Sequence, residues 1–155
     1  MEKVVKRLIE LGKTISTMES CTGGGVANAI TNVEGSSDVF KFSAVTYSNE
    51  FKIKMGVSGE VIDKYSVYSM ETANEMSKNI SLFTDSNYGV GITGKINRID
   101  KNNLYGENNI IYISIYDRDN DKYYNKEVKA IAAIREENKR LIIKIIGEVL
   151  LSVIE

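Results

Sequence analysis

The sequence predicts a three-layer α/β/α fold, with helices on both faces of a mixed sheet. Apolar or β-branched runs at Thr14 to Met18, Val39 to Tyr47 and Tyr88 to Thr93 alternate with helical patterns, the layout of a sheet covered by helices. The last pattern, with Leu141, Ile142, Ile145, Ile146, Val149, Leu150 and Val153 on one stripe, is the clearest 3.6-residue period in the chain. The third observation is size: 155 residues, 43% hydrophobic and 26% charged, suit one domain over 1–155. Such a domain buries about two thirds of its unfolded surface.

Val4, Val5, Leu8, Ile9 and Leu11 recur at helical spacing between charges, so Glu2 to Leu11 reads as an amphipathic helix stopped by Gly12. Thr14 to Met18 is a short strand. It runs into the turn Ser20-Cys21-Thr22-Gly23-Gly24-Gly25 and a helix over Val26 to Ile30. Val33 to Asp38 is turn material, and Val39 to Tyr47 a strand. Short helices follow at Asn49 to Met55 and Gly59 to Lys64, although Ser58 opens no capping box because Val61 stands where Glu or Gln would. Ser69 caps a longer helix over Thr72 to Leu82, on which Ala73, Met76 and Ile80 share a face. Tyr88 to Thr93 is a strand ending at Gly94. Lys95 to Asn109 is polar and aperiodic, hence a loop. Ile110 to Tyr116 and Tyr123 to Val128 flank Asp117 to Asp121 as a hairpin.

Composition excludes several function classes. The net charge is −1, and no local cluster of basic residues supplies a nucleic-acid face. No apolar run reaches the roughly 20 residues of a membrane span, and the N-terminus lacks the apolar core of a signal peptide. A cytoplasmic location is expected. The chain has one cysteine, Cys21, and no histidine. Histidine-dependent triads and Cys/His zinc sites are therefore out, and no metal or cofactor is expected. Acid-base work falls to Lys, Asp, Glu, Tyr or Cys.

Four places can carry chemistry. The glycine-rich turn places Ser20 beside the N–H groups that open a helix, suited to a nucleophile and oxyanion hole; equally, Ser20 or Thr22 caps that helix. Cys21 is a second nucleophile candidate, since a helix N-terminus lowers a thiol pKa. Tyr47, Asn49 and Lys52 cluster where a strand gives way to a helix, a common position for site residues. There Lys52 is either a base of lowered pKa or a solvated surface lysine. Thr93-Gly94 ends a strand, either as a phosphate or ribose contact or as a plain turn. Arg135 and Arg140 begin the last helix, as anion clamps or as partners of Glu136 and Glu137.

Taken together, these segments resemble the C-terminal domain of the CinA family. Met18-Glu19-Ser20-Cys21-Thr22-Gly23-Gly24 is similar to the family's A-E-S-C-T-G-G. Gly35-Ser36-Ser37 with Phe40 matches G-S-S-x-x-F, and Val45 to Lys52 matches V-T-Y-S-N-E-x-K. Met55-Gly56-Val57 follows as L-G-V does, Ser69 ends a stretch similar to G-A-V-S, and Arg135 falls at the arginine of G-D-R. The resemblance implies a three-layer α/β protein, homo-oligomeric, that deamidates nicotinamide mononucleotide. It implies Ser20 as nucleophile, Lys52 and Tyr47 as its proton handlers, and backbone N–H groups after Ser20 as oxyanion hole. Cys21, Thr22, Gly23, Gly24, Asn49, Thr93, Gly94 and Arg135 would hold the pyridine nucleotide. Chemistry of the N-terminal domain of longer members is not expected.

One segment departs from the family pattern. Where members carry T-G-I-A-G-P, a glycine-rich stretch and K-P-V-G, this chain has Thr93-Gly94-Lys95-Ile96-Asn97-Arg98-Ile99-Asp100 and then Lys101-Asn102-Asn103. Lys95 or Arg98 would be replacement phosphate contacts. The sequence thus supports an active deamidase, with an altered-ligand or non-catalytic nucleotide-binding relative as the alternative and a purely structural subunit as the third reading.

Overall fold

The computed structural model describes residues 1–98 and 100–154. Five strands, β1 (Ile15–Glu19), β2 (Phe40–Val45), β3 (Tyr88–Gly94), β4 (Ile110–Asp117) and β5 (Lys122–Lys129), form one sheet in the order β2-β1-β3-β4-β5. β1 pairs in parallel with both β2 and β3, whereas β3, β4 and β5 pair antiparallel. The sheet is therefore mixed, as expected.

Helices α1 (Glu2–Leu11), α2 (Gly25–Thr31) and α6 (Arg135–Ile154) cover one face. Their buried Val4, Leu8, Val26, Ile30, Ile142, Ile146 and Leu150 meet strand residues Ile15, Ile92, Ile111 and Ile113 in the larger core cluster. The other face carries α5 (Met70–Thr84) and, against it, α4 (Gly59–Tyr65), with Met18, Val57, Ile62, Met76 and Ile80 in a second cluster. A short α3 (Asn49–Lys54) follows β2.

The close seating of α5 on β3 has a sequence cause. A Cβ at Gly89 would lie 1.9 Å from the Ser77 carbonyl oxygen, and one at Gly91 would lie 2.3 Å from that of Ala73. Only glycine lets the helix backbone approach the strand this closely. Ser77 and Ser114 share a buried hydrogen bond of 2.8 Å across the same interface, so the small polar side chains there are satisfied.

Boundaries agree with the periodicity to within two residues, and α6 starts at Arg135, as expected, ahead of its apolar stripe. Its first turns are polar because they bind loops. Buried Asn138 accepts from the Ala132 amide at 2.9 Å and donates to Asn97 Oδ1 at 2.7 Å. Ser69 caps α5 as expected, accepting from the Thr72 amide at 3.2 Å. Ser58 also caps α4, without a reciprocal acidic partner.

Candidate active site

From β1 the chain moves to β2 on one side, while β3 lies on the other. Parallel strands that diverge this way leave a crevice outside their carboxyl ends. Ser20 follows β1, Thr46 and Tyr47 follow β2, and Gly94 closes β3. The glycine turn, the segment after β2 and Thr93-Gly94 therefore meet at one rim. The crevice is a cavity of about 690 Å³ lined by Ser20, Cys21, Tyr47, Asn49, Gly94 and Arg135 among others. That is within the range of about 300–1,000 Å³ usual for small-molecule sites.

Lys52 is 2% exposed, on the first turn and a half of α3. Its Nζ donates to Ser20 Oγ at 3.1 Å and to the Thr46 carbonyl at 2.7 Å. Ser48 begins the helix by accepting from the Phe51 amide, which fixes the turn that aims Lys52 inward. Burial lowers the Lys52 pKa to about 8, against weaker raising influences from Cys21 and Asp100. A surface lysine is thereby ruled out. The amine is a base held against a hydroxyl, and roughly a tenth of it is neutral at pH 7.

The glycine turn works differently from expectation. Neither Ser20 nor Thr22 caps α2; the N-cap is Gly24, without a side-chain bond of its own. Instead buried Glu19 turns its carboxylate onto the helix start, accepting from the amides of Gly24 (3.1 Å), Val26 (3.1 Å) and Ala27 (2.8 Å) and from Thr22 Oγ1 (2.6 Å). The helix N-terminus and these donors face a carboxylate that forms no ion pair among the described residues. An anion from solution therefore finds those amides occupied. The Gly23 and Gly25 amides bond back to Ser20 and Thr22 carbonyls. Among the described residues, no backbone carbonyl accepts from the amides of Cys21 and Thr22.

Thr22, Gly23, Gly24 and Thr93, expected to hold ligand, lie outside the cavity lining. Thr22 is committed to Glu19, and Thr93 Oγ1 donates to the Val67 carbonyl at 2.9 Å. Gly23 and Gly24 have φ of 63° and 90°, so they supply the left-handed turn rather than a ligand contact. Cys21 touches the cavity, but burial pushes its thiol up to about 12, the reverse of the expected activation. Glu19 was legible only as part of a motif. Its signal was an acid at a strand end just before a glycine turn that opens a helix. Replacing Glu19 with glutamine turns an amide group toward those donors. Urea unfolding is expected to show a loss of about 3 kcal/mol; a loss under about 0.5 kcal/mol would contradict this role for the carboxylate.

Tyr47 is 64% exposed, and its hydroxyl accepts from Arg135 Nη2 at 3.2 Å. It shares the cavity with Ser20 but bonds to neither Ser20 nor Lys52, so the expected direct proton relay through Tyr47 is not formed. Arg135 also donates to the Ile96 carbonyl, joining the β2 end to the segment after β3. Arg140 pairs with Glu136 on the surface and takes no part.

The segment after Gly94 folds back over the site. Buried Lys95 donates to the carbonyls of Leu104 (3.3 Å) and Gly106 (3.2 Å), so it braces the loop and is not free for phosphate. Arg98 and Lys101 are exposed on the cavity wall. Asn49 donates to Asn103 Oδ1 at 2.8 Å, and Asn97 ties the segment to Ala132, Ala133 and Asn109.

The CinA C-terminal domain family matches residues 1–138. This chain belongs to that family. It is 48% identical over 88 residues to a CinA-like protein of Endomicrobium trichonymphae, covering 56% of this chain and 21% of that one. It is 40% identical over 120 residues to a putative competence-damage inducible protein of Clostridium kluyveri, covering 76% of this chain and 29% of that one. The chain thus spans between about a fifth and three tenths of the length of these curated relatives. The competence/damage inducible protein CihA of Agrobacterium tumefaciens superposes with a TM-score of 0.86 at 29% identity, covering 99% of this chain and 95% of that one. A CinA superfamily protein of Klebsiella pneumoniae superposes at 0.89 with 20% identity, covering 99% and 94%, which extends the likeness of fold.

Proposed function

We propose that this CinA-family domain is an amidohydrolase that converts nicotinamide mononucleotide to nicotinate mononucleotide and ammonia, in the recycling of pyridine nucleotides. The observation that carries the reading is the buried Lys52 amine at 3.1 Å from Ser20 Oγ, beside a nucleotide-sized cavity. Neutral Lys52 takes the Ser20 proton as Oγ attacks the carboxamide carbon. The amides of Cys21 and Thr22 receive the oxyanion. Lys52 returns the proton to the departing nitrogen, which leaves as ammonia. Water then attacks the Ser20 ester, giving a proton to Lys52, and Lys52 passes that proton to Ser20 Oγ as the acyl bond breaks and the acid leaves. Asn49, Tyr47 and Arg135 wall the ligand, with Arg98, Lys101 and Arg135 as the cations for its phosphate.

The rest of the proposal follows the family: residues 1–155 act as one unit, in the cytoplasm, as a homo-oligomer. No helix among the described residues is long and apolar enough to cross a membrane. The best support for self-association is the β2 edge, where exposed Phe42 packs against exposed Phe83 of α5, the rings tilted with centroids 5.6 Å apart. One observation favours the alternative, an altered-ligand or non-catalytic relative: Asn49 and Lys95 are both engaged by the divergent loop.

The test is ammonia release from nicotinamide mononucleotide. Turnover is expected, and it should persist in EDTA, since the mechanism draws on Ser and Lys alone. Activity lost in EDTA and restored by a divalent ion contradicts it. No ammonia, with a melting temperature raised by the nucleotide, favours the alternative; neither effect overturns both.

A further inference from the structure

Asp100 stands in the cavity wall, within the segment that departs from the family pattern. Its carboxylate accepts from the Tyr68 hydroxyl, from Asn103 Nδ2 at 2.9 Å and from the Asn102 amide at 2.9 Å. All three donors are neutral. The same cavity is lined by Lys95, Arg98, Lys101 and Arg135, yet among the described residues no lysine or arginine forms an ion pair with Asp100. Lys95 donates to backbone carbonyls, and Arg135 to Tyr47 Oη and the Ile96 carbonyl, rather than to Asp100.

A carboxylate among so many cations ordinarily collapses onto one of them. Here neutral donors hold it apart, so its charge is presented to the cavity uncompensated. Partial burial opposes that charge, but the hydrogen bonds from Tyr68, Asn103 and Asn102 outweigh it and keep the carboxyl below its ordinary pKa. The field reaches the reacting groups, because Asp100 is among the charges acting on Lys52. The exposed Tyr47 also lines this cavity, and an aromatic side chain there is a second feature that favours a delocalised cation.

Resting on the deamidase reading of this site, we propose that Asp100 is a specificity-determining residue that selects a pyridine carboxamide with a positively charged ring over its neutral, reduced counterpart. The two ligands have nearly the same shape and the same phosphate, and they differ in ring charge. A fixed carboxylate in a partly water-excluded cavity separates them by Coulomb attraction. The anionic carboxylate of the product is disfavoured by the same charge, which assists its release.

The experiment is calorimetric binding of nicotinamide mononucleotide and of its reduced form to the parent protein, Asp100→Asn and Tyr68→Phe, with ammonia release followed in parallel. The parent should prefer the cationic form by about tenfold or more. Asp100→Asn should bring the two forms within about twofold. Tyr68→Phe removes a hydrogen bond to the loop but leaves the charge, so it should keep the preference. A merely structural Asp100 predicts that both variants act alike, and that result overturns the proposal. Equal affinity in the parent, or no binding of either form, overturns it whether or not Asp100→Asn folds. A preference that follows the Asp100 charge without any ammonia release leaves the selection standing and sinks the deamidase reading instead.

Discussion

Replacing Lys52 with methionine is expected to reduce ammonia release about a thousandfold or more, since the only group among the described residues that bonds Ser20 Oγ is then apolar. The same variant changes how stability depends on pH. Lys52 titrates near 8 in the folded protein, against an ordinary value of 10.5. Between those values the unfolded chain still holds a proton on Lys52 that the folded chain has released. Unfolding therefore takes up a proton, and the folded state gains stability as pH rises through the window. Relative to Lys52→Met, which fills similar space and has no such titration, the parent should gain about 3 kcal/mol between pH 8 and pH 10.5. Urea unfolding of both proteins across that range measures it. A constant difference would mean that Lys52 titrates like a surface lysine, against its 2% exposure.

Ser20→Ala is expected to lower turnover by three to six orders of magnitude, about the range lost when an activated nucleophile is removed. Its effect on folding should be small, within about 1 kcal/mol. Ser20 Oγ caps no helix in this fold, and Glu19 rather than Ser20 satisfies the start of α2. Nucleotide binding should largely persist, because the side chains that wall the ligand are untouched. Turnover by ammonia release and affinity by calorimetry separate the two effects. Full activity in Ser20→Ala would sink the nucleophile assignment.

The layers and the rim were legible in the sequence because periodicity and strand ends are local properties. Thr14 to Met18, Val39 to Tyr47 and Tyr88 to Thr93 alternate with helical stripes, and their motifs lie at carboxyl ends of strands that the fold brings side by side. The juxtaposition of Ser20 with Lys52 was legible only through the family resemblance, since 32 residues separate them. Glu19 escaped because its role needs three amides from the following turn and helix, a geometry that no spacing rule contains. Cys21 was misread for a related reason: the helix start that would have lowered its pKa already serves Glu19, and burial then dominates. Tyr47 was expected at the reacting hydroxyl, but the Arg135 guanidinium, 88 residues away in sequence, takes its oxygen. The divergent loop was correctly aperiodic. That Lys95 braces it while Asp100 faces the cavity depends on contacts with Tyr68, Leu104 and Gly106 that composition cannot rank.

The central claim is that burial of Lys52 against Ser20 makes a histidine-free base usable near neutral pH. The pH dependence of kcat/KM for ammonia release by the parent protein tests it most directly. The rate is expected to rise about tenfold per pH unit on the acid side and to level off near pH 8, where Lys52 loses its proton. A profile that is flat from pH 6 to 9, or that keeps climbing to the ordinary lysine value of 10.5, would contradict it.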